Sequence, residues 1–325
     1  MQIHLASVLA AFFLLLAIAF GGYDMYNGYE YVPPVYIALS VVAAATIFTM
    51  SNQINWWWFE RNPPHLDALA VRIIKAHFPY FAQLSETERQ RFGSRVFMFL
   101  MDKDFVSAGT PDEDVPEDFK VLMAASVVQF TFGMPEYWLP DLEKIIMYPR
   151  LFPTVERPAF HACEAHEDNC FIFSGIMLRN GLQNPTAYYN IGLHVAAEYW
   201  HLRNPIWLHE LAITDEADFI KKIEKIRLFK ADFWREITGI YPQTDVKIAE
   251  DDNELYDNLL DGNMKTETAM PCFEIAVECF FTKPNEMAHA LPDTFAALMR
   301  ILRQDPRKDT YPVLKYVIWK SFVTI

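Results

Sequence analysis

The chain has 325 residues, 52% of them hydrophobic, 15% aromatic and 22% charged, so it can bury a large core and is not intrinsically disordered. Its formal net charge of -14, with no basic stretch to break the acidic balance, repels phosphate backbones and argues against nucleic acid as a partner. Four cysteines are too few for a disulfide scaffold.

Residues 1–60 contain no Lys or Arg and three acids, Asp24, Glu30 and Glu60. Two uncharged runs lie within them, LASVLAAFFLLLAIAF (Leu5–Phe20) and VYIALSVVAAATIFTM (Val35–Met50). Each is near the lower limit for a membrane-spanning helix, which needs ~17–25 apolar residues, and Gly21–Gly22 or Ser51 can extend it. Two buried soluble helices would not explain why charge is absent from 16 residues twice in succession. Neither a basic n-region nor an obvious small-residue cleavage site marks the first run as a cleaved signal peptide. Tyr23, Tyr26, Tyr29 and Tyr31 lie between the runs and Trp56, Trp57 and Trp58 follow the second, as interfacial aromatic belts would. The connection between the runs is acidic, whereas Arg61, Arg72 and Lys75 follow the second run. The positive-inside rule then expects residues 1–60 to form a transmembrane hairpin and residues 61–325 a cytoplasmic domain with free thiols.

Asn62-Pro63-Pro64 is a stiff break. From Leu66 the run LDALAVRIIKAHFPYF has helical spacing, and Ser85-Glu86-Thr87-Glu88 is a capping box that starts a second helix. Pro116 sits at the first turn of a third helix, EDFKVLMAASVVQFTF, which Gly133 can terminate. KIIMY (Lys144–Tyr148) and CFIFS (Cys170–Ser174) read as strands. Further helices are expected over Thr186–Arg203, Phe273–Phe281 and Pro292–Arg303, with the acidic stretch at 249–262 a linker or exposed helix end. Helices around a small sheet give an α+β class.

On NIGLHVAAEYWHLRN, His194, Glu198 and His201 fall at i, i+4 and i+7 and share one helix face. Two imidazoles and a carboxylate so placed resemble metal ligands, although a His and a Glu four apart also simply hydrogen-bond on many helices. The string His161, Cys163, His166 and Cys170 matches no common structural-zinc spacing, and a solvated loop is the plainer reading. Cys272 and Cys279, at i and i+7, read as buried packing thiols. No Gly-rich phosphate loop or Gly-x-Ser-x-Gly elbow is present.

The segments HFPYFAQLSETERQRF, FKVLMAASVVQFTFG, KIIMYP, NIGLHVAAEYW and FEIAVECFFTKP…LRQDP, in that order, resemble the M90 zinc peptidases related to Mlc titration factor A. The resemblance implies a zincin-like fold similar to the anthrax lethal factor catalytic domain. It also implies a zinc helix of the pattern His-Glu-x-x-His-x-x-Asp. On this sequence the first His is His194, but the general-base Glu falls on Val195, the second His on Glu198 and the Asp on His201. The third-ligand Glu falls on Pro271 and a supporting Tyr on Met264. Loss of a base alone typically removes ~10²–10⁴-fold of rate.

A rescued site would need Glu198 as a ligand in place of the second His. His201 would have to join it from about 10 Å along the axis at ~1.5 Å per residue, or a shifted helix would have to present Glu274 or Glu278. The expectation is therefore a catalytically inactive, membrane-anchored relative at a bacterial inner membrane, expected to hold no cofactor. Its cleft, formed around His194, Val195, Glu198, Met264, Pro271 and Glu274, would bind a peptide or regulatory protein, as family members bind a transcriptional repressor. The alternatives are an active zinc metallopeptidase with a rearranged site and a structural membrane component.

Overall fold

The computed structural model describes residues 5–28, 33–62, 64–108, 114–135, 137, 139, 141–155, 157–185, 188–228, 237 and 271–307. The chain divides into two units, Met1–His65 and Leu66–Ile325. Met264 and the acidic 249–262 stretch lie outside the described residues.

The first unit holds helices α1 (Leu5–Tyr26), α2 (Pro34–Thr49) and α3 (Ser51–Arg61). Helix α1 is long and apolar enough to cross a membrane. It continues through Gly21 and Gly22 to Tyr26, so Tyr23 and Tyr26 ride on its last turn rather than in a loop. Its buried positions are Ala6, Ala10, Ala17 and, near the end, Asp24, while Phe12, Leu14, Leu15 and Ile18 point outward. Helix α2 likewise buries Ser40 and Ala44, and its hydroxyls bond back to their own helix, Ser40 Oγ to Tyr36 O at 2.8 Å and Thr46 Oγ1 to Val42 O at 2.9 Å. At 16 residues α2 is short for a span, and it meets α3 at a 66° bend.

The second unit is α+β and mostly helical. Asp67 caps α4 (Ala68–His77) by accepting the Leu69 N–H, and the chain breaks at Phe78 before Pro79 opens α5 (Pro79–Gln83). The expected single helix is thus two, because proline cannot continue the hydrogen-bond ladder. Ser85 and Glu88 form the capping box of α6 (Glu86–Asp102). Strand β1 (Asp104–Ser107) and helix α7 (Glu117–Thr131) follow, the latter buried continuously from Val121 to Thr131. Gly133 does not end α7 with a left-handed turn. Its need is space, since a Cβ there would lie 2.2 Å from the Leu302 carbonyl oxygen.

Strands β2 (Lys144–Tyr148), β3 (Cys163–His166) and β4 (Cys170–Ser174) complete a sheet of order β1-β2-β4-β3. The first three are parallel, and β3 is an antiparallel edge strand hairpinned to β4. The region expected to be a solvated loop around 163–166 is therefore a strand. Helices α8 (Gly175–Gln183), α9 (Ile191–Arg203) and α10 (Glu216–Arg227) come next. Last come α11 (Cys272–Thr282), α12 (Pro284–Ala290) and α13 (Pro292–Leu302). Helix α9 packs on β3 and β4, with α7 and α11 against it, so its residues 191–199 are all buried. At Gly192 a Cβ would lie 2.5 Å from Ser126 Oγ, which shows how closely α9 approaches α7.

Candidate functional site

Helix α9 starts at Ile191 because Asn190 caps it: Asn190 Oδ1 accepts the N–H groups of Gly192 at 3.1 Å and Leu193 at 3.2 Å. The expected start near Thr186 was too early. Asn190 is itself fixed from behind, its N–H donating to Glu278 Oε1 at 3.1 Å. Glu278 also receives Arg227 Nη2 at 2.9 Å in a fully buried ion pair, and Arg227 donates to the carbonyls of Pro185 at 2.8 Å and Tyr188 at 2.9 Å. Glu278 thus belongs to the support of α9, beneath its first turn.

His194 is buried, with Nδ1 2.7 Å from the Tyr189 hydroxyl. Burial pushes its pKa down to about 4, opposed by the charge of Glu274. The ring is therefore neutral at physiological pH. Val195, at the base position, lies wholly in the apolar core. It has no group that could take a proton.

Glu198 points toward the sheet. Its Oε2 accepts the Ala165 N–H of edge strand β3 at 3.0 Å, and its Oε1 meets Arg157 Nη2 at 2.5 Å. Burial is the largest influence on Glu198 and pushes its carboxyl up, against the pull of the Arg157 guanidinium; the contact with Glu198 in turn raises Arg157. Arg157 Nε lies 3.4 Å from Glu164 Oε1. Burial raises Glu164 as well. Hydrogen bonds from His161 at 3.1 Å and Thr154 at 2.6 Å, with the charge of Arg157, outweigh that and hold its carboxyl below the ordinary range.

His201 is committed elsewhere. Its Nδ1 is 2.7 Å from Glu274 Oε1 and its Nε2 is 3.2 Å from the Ile206 carbonyl oxygen; the bond to Glu274 raises its pKa. Glu274 Oε2 is buried without a hydrogen-bond partner among the described residues. Pro271 is the residue before α11, and Glu274 sits in the first turn of that helix. So the fold gathers His194, Glu198, His201 and Glu274 around one side of α9, but each of the first three is held by a different neighbour.

The string His161, Cys163, His166 and Cys170 does not gather into one site, although His161 and His166 both face Glu164 Oε2, at 3.1 Å and 3.6 Å. His166 pairs with Cys170 across the hairpin, Cys163 is buried opposite Phe173, and His161 is spent on Glu164 and the Ala159 carbonyl oxygen at 2.8 Å. Cys272 and Cys279 are buried free thiols. Among the described residues no group of three or more His, Cys, Asp or Glu side chains could hold a metal ion. Sequence reasoning missed Arg157, Glu164, Tyr189 and Arg227. Arg157 and Glu198 are 41 residues apart and Arg227 and Glu278 are 51 apart, so no local spacing marks either pair.

The sequence model of the family described as glucose-regulated metallo-peptidase M90 matches residues 55–202. The match takes in α9 with positions 194, 195, 198 and 201, and ends before α11. A protein of Synechocystis sp. (strain ATCC 27184 / PCC 6803 / Kazusa), named only as uncharacterized protein slr2042, is 27% identical over 125 residues. That alignment covers 37% of this chain and 43% of the relative, so the chain spans less than half of that protein's length.

Proposed function

We propose, from the premise that the chain belongs to the M90 peptidase family through residues 55–202, that it is a membrane-anchored, zincin-like member that binds a peptide or protein partner without hydrolysing it. The observation that carries this reading is the fate of the catalytic helix. Its base position is Val195 in the core, and the carboxylate at its second-ligand position is already bonded to Arg157 and to Ala165 N–H. Zinc, which the family implies, does not fit these residues. A metal ligand needs a free lone pair directed at the ion, and Glu198 has both oxygens engaged while His201 is held by Glu274 and Ile206. A water on such an ion would also meet valine where a proton acceptor is required.

The partner is a polypeptide because the scaffold is one that receives extended chains. Membrane anchoring is supported by α1, whose large apolar side chains face outward and whose small ones face inward, the reverse of a soluble core helix.

The test uses the full chain purified in detergent. Elemental analysis should give well under one zinc per chain, and a mixture of unstructured peptides should remain intact after prolonged incubation. Near-stoichiometric zinc, with peptide cleavage that disappears in Glu198→Ala, would establish the working peptidase instead.

A further inference from the structure

Three carboxylates crowd the buried side of α9: Glu198 on the helix, Glu164 on β3 and Glu274 on α11, with relative exposures of 8%, 2% and 3%. Like charges so close, and out of water, repel each other strongly and need a cation among them. In a metallopeptidase a dication fills that need. In this chain Arg157, on the connection between β2 and β3, reaches into the group, its Nη2 on Glu198 and its Nε on Glu164. His201 is turned to Glu274.

We propose that the Arg157 guanidinium is a resident cation standing in for the metal, locking Glu198 of the catalytic helix to Glu164 and the edge strand and closing the helix to an ion. This rests on reading α9 as the family's metal helix. The guanidinium suits the place because it is charged at every physiological pH and carries donors on two edges of one plane. Nη2 serves the helix carboxylate and Nε the strand carboxylate. A lysine would supply the charge at a single point and could not bridge both as firmly.

Two consequences separate this arrangement from an ordinary surface ion pair. Both Glu198 oxygens already hold a partner, Arg157 Nη2 on one and Ala165 N–H on the other, so a dication would have to compete with both. A dication brought to His194 and Glu198 would also face a fixed positive charge bonded to one of its own ligands. The ion and Arg157 are alternatives for the same carboxylate, and Arg157 is attached to the chain.

The experiment is thermal unfolding of the full chain in detergent, with and without EDTA or excess Zn²⁺, for the wild type and for Arg157→Met, Arg157→Lys and the double variant Arg157→Met/Glu198→Gln. The wild-type midpoint should not move with EDTA or with zinc. Arg157→Met leaves the buried Glu198 without its counter-charge and Glu164 with only His161, His166 and Thr154, and its midpoint should fall by about 5 °C or more. Arg157→Lys should fall between. The double variant, whose neutral amide can still accept from Ala165 N–H, should regain at least half of the loss. If Arg157→Met does not accumulate in folded form, recovery of folded double variant supports the proposal and its failure to fold overturns it. A wild-type-like midpoint for Arg157→Met, or a saturable rise of the wild-type midpoint with zinc, also overturns it. Failure of the variant series leaves the peptide assay unaffected, whereas cleavage of peptide with stable zinc would sink the functional reading first.

Discussion

His194, at the position the resemblance assigns to a metal ligand, is a buried side chain with a hydrogen-bond partner of its own. In a metal site its neutral imidazole would face an ion; here the ring is enclosed against Tyr189, and burial, opposed by Glu274 and aided by the Arg157 charge, keeps it neutral. Its folded pKa of about 4 lies below the unfolded value near 6.5, so the unfolded chain binds the extra proton first. The stabilisation is therefore complete above pH 6.5 and is lost as the pH falls toward 4, up to about 3 kcal/mol at the acid end. Urea unfolding between pH 7 and pH 4 should show this slope, and His194→Leu should flatten it. His201 works in the opposite sense: its pKa is raised by Glu274, so its contribution is present below its ordinary value and disappears as the pH rises through the folded one. The pair Arg227 and Glu278 carries a larger penalty. Both side chains are fully buried; burial pushes the Glu278 carboxyl up and the Arg227 charge opposes that, so Arg227→Met should lower stability by about 3–5 kcal/mol because Glu278 loses the buried counter-charge that favours its ionised form. A midpoint within error of the wild type would refute that assignment. The pairs His201–Glu274 and Arg227–Glu278 were not legible in the sequence, since each joins elements far apart in the chain, and Tyr189 lies five residues before His194, outside the helix whose spacing the sequence shows. The common face of His194, Glu198 and His201 was legible, because helical spacing alone fixes it.

At the scale of elements, capping and close approach set where α9 begins and how it sits. Asn190 ends the preceding loop by supplying the acceptor for the first free N–H groups, a signal present in the sequence but overshadowed by apolar residues further upstream. Asn190→Ala should cost about 1 kcal/mol, read as a shift in denaturant midpoint with an unchanged slope. Gly192 is the tighter constraint. Gly192→Ala would press a methyl against Ser126 Oγ at 2.5 Å and Cβ at 2.7 Å, and should cost about 1–3 kcal/mol. Adding Ser126→Gly removes both atoms but leaves Leu178 Cδ1 at 2.9 Å, and should recover part of that loss; no loss in Gly192→Ala itself would mean that the helices already have slack. The capping box at Ser85 and the strands at 144–148 and 170–174 were readable because each carries a compact local pattern. Strands β1 and β3, at four residues each, were not. Their pairing with β2 and β4 creates them, and so short a run has no room for a periodic signal.

At the scale of the whole molecule, the division into an apolar N-terminal unit and an acidic α+β unit follows the charge map of the sequence. All 28 Lys and Arg residues lie beyond residue 60. The topology of the second unit had no such signature, because the order β1-β2-β4-β3 depends on long-range pairing and on an edge strand that the sequence reading left as loop. The charge map also sets the orientation proposed for the anchor. By the positive-inside rule, a connection between α1 and α2 without Lys or Arg is expected to cross a membrane more readily than the Arg61, Arg72 and Lys75 region, which is expected on the cytoplasmic side. Tyr26 ends α1 at 89% exposed, and Val155 lies in the second unit at 94% exposed, so both are open to a thiol reagent once changed to cysteine. The four native cysteines all lie in the second unit, and a parallel sample without the added thiol sets their background. In right-side-out bacterial spheroplasts an impermeant maleimide should label Tyr26→Cys directly and Val155→Cys only after permeabilisation. The reverse order would place the α+β unit outside the cytoplasm. Equal labelling of both before permeabilisation would mean that α1 and α2 do not form a transmembrane hairpin, leaving α1 alone as the span.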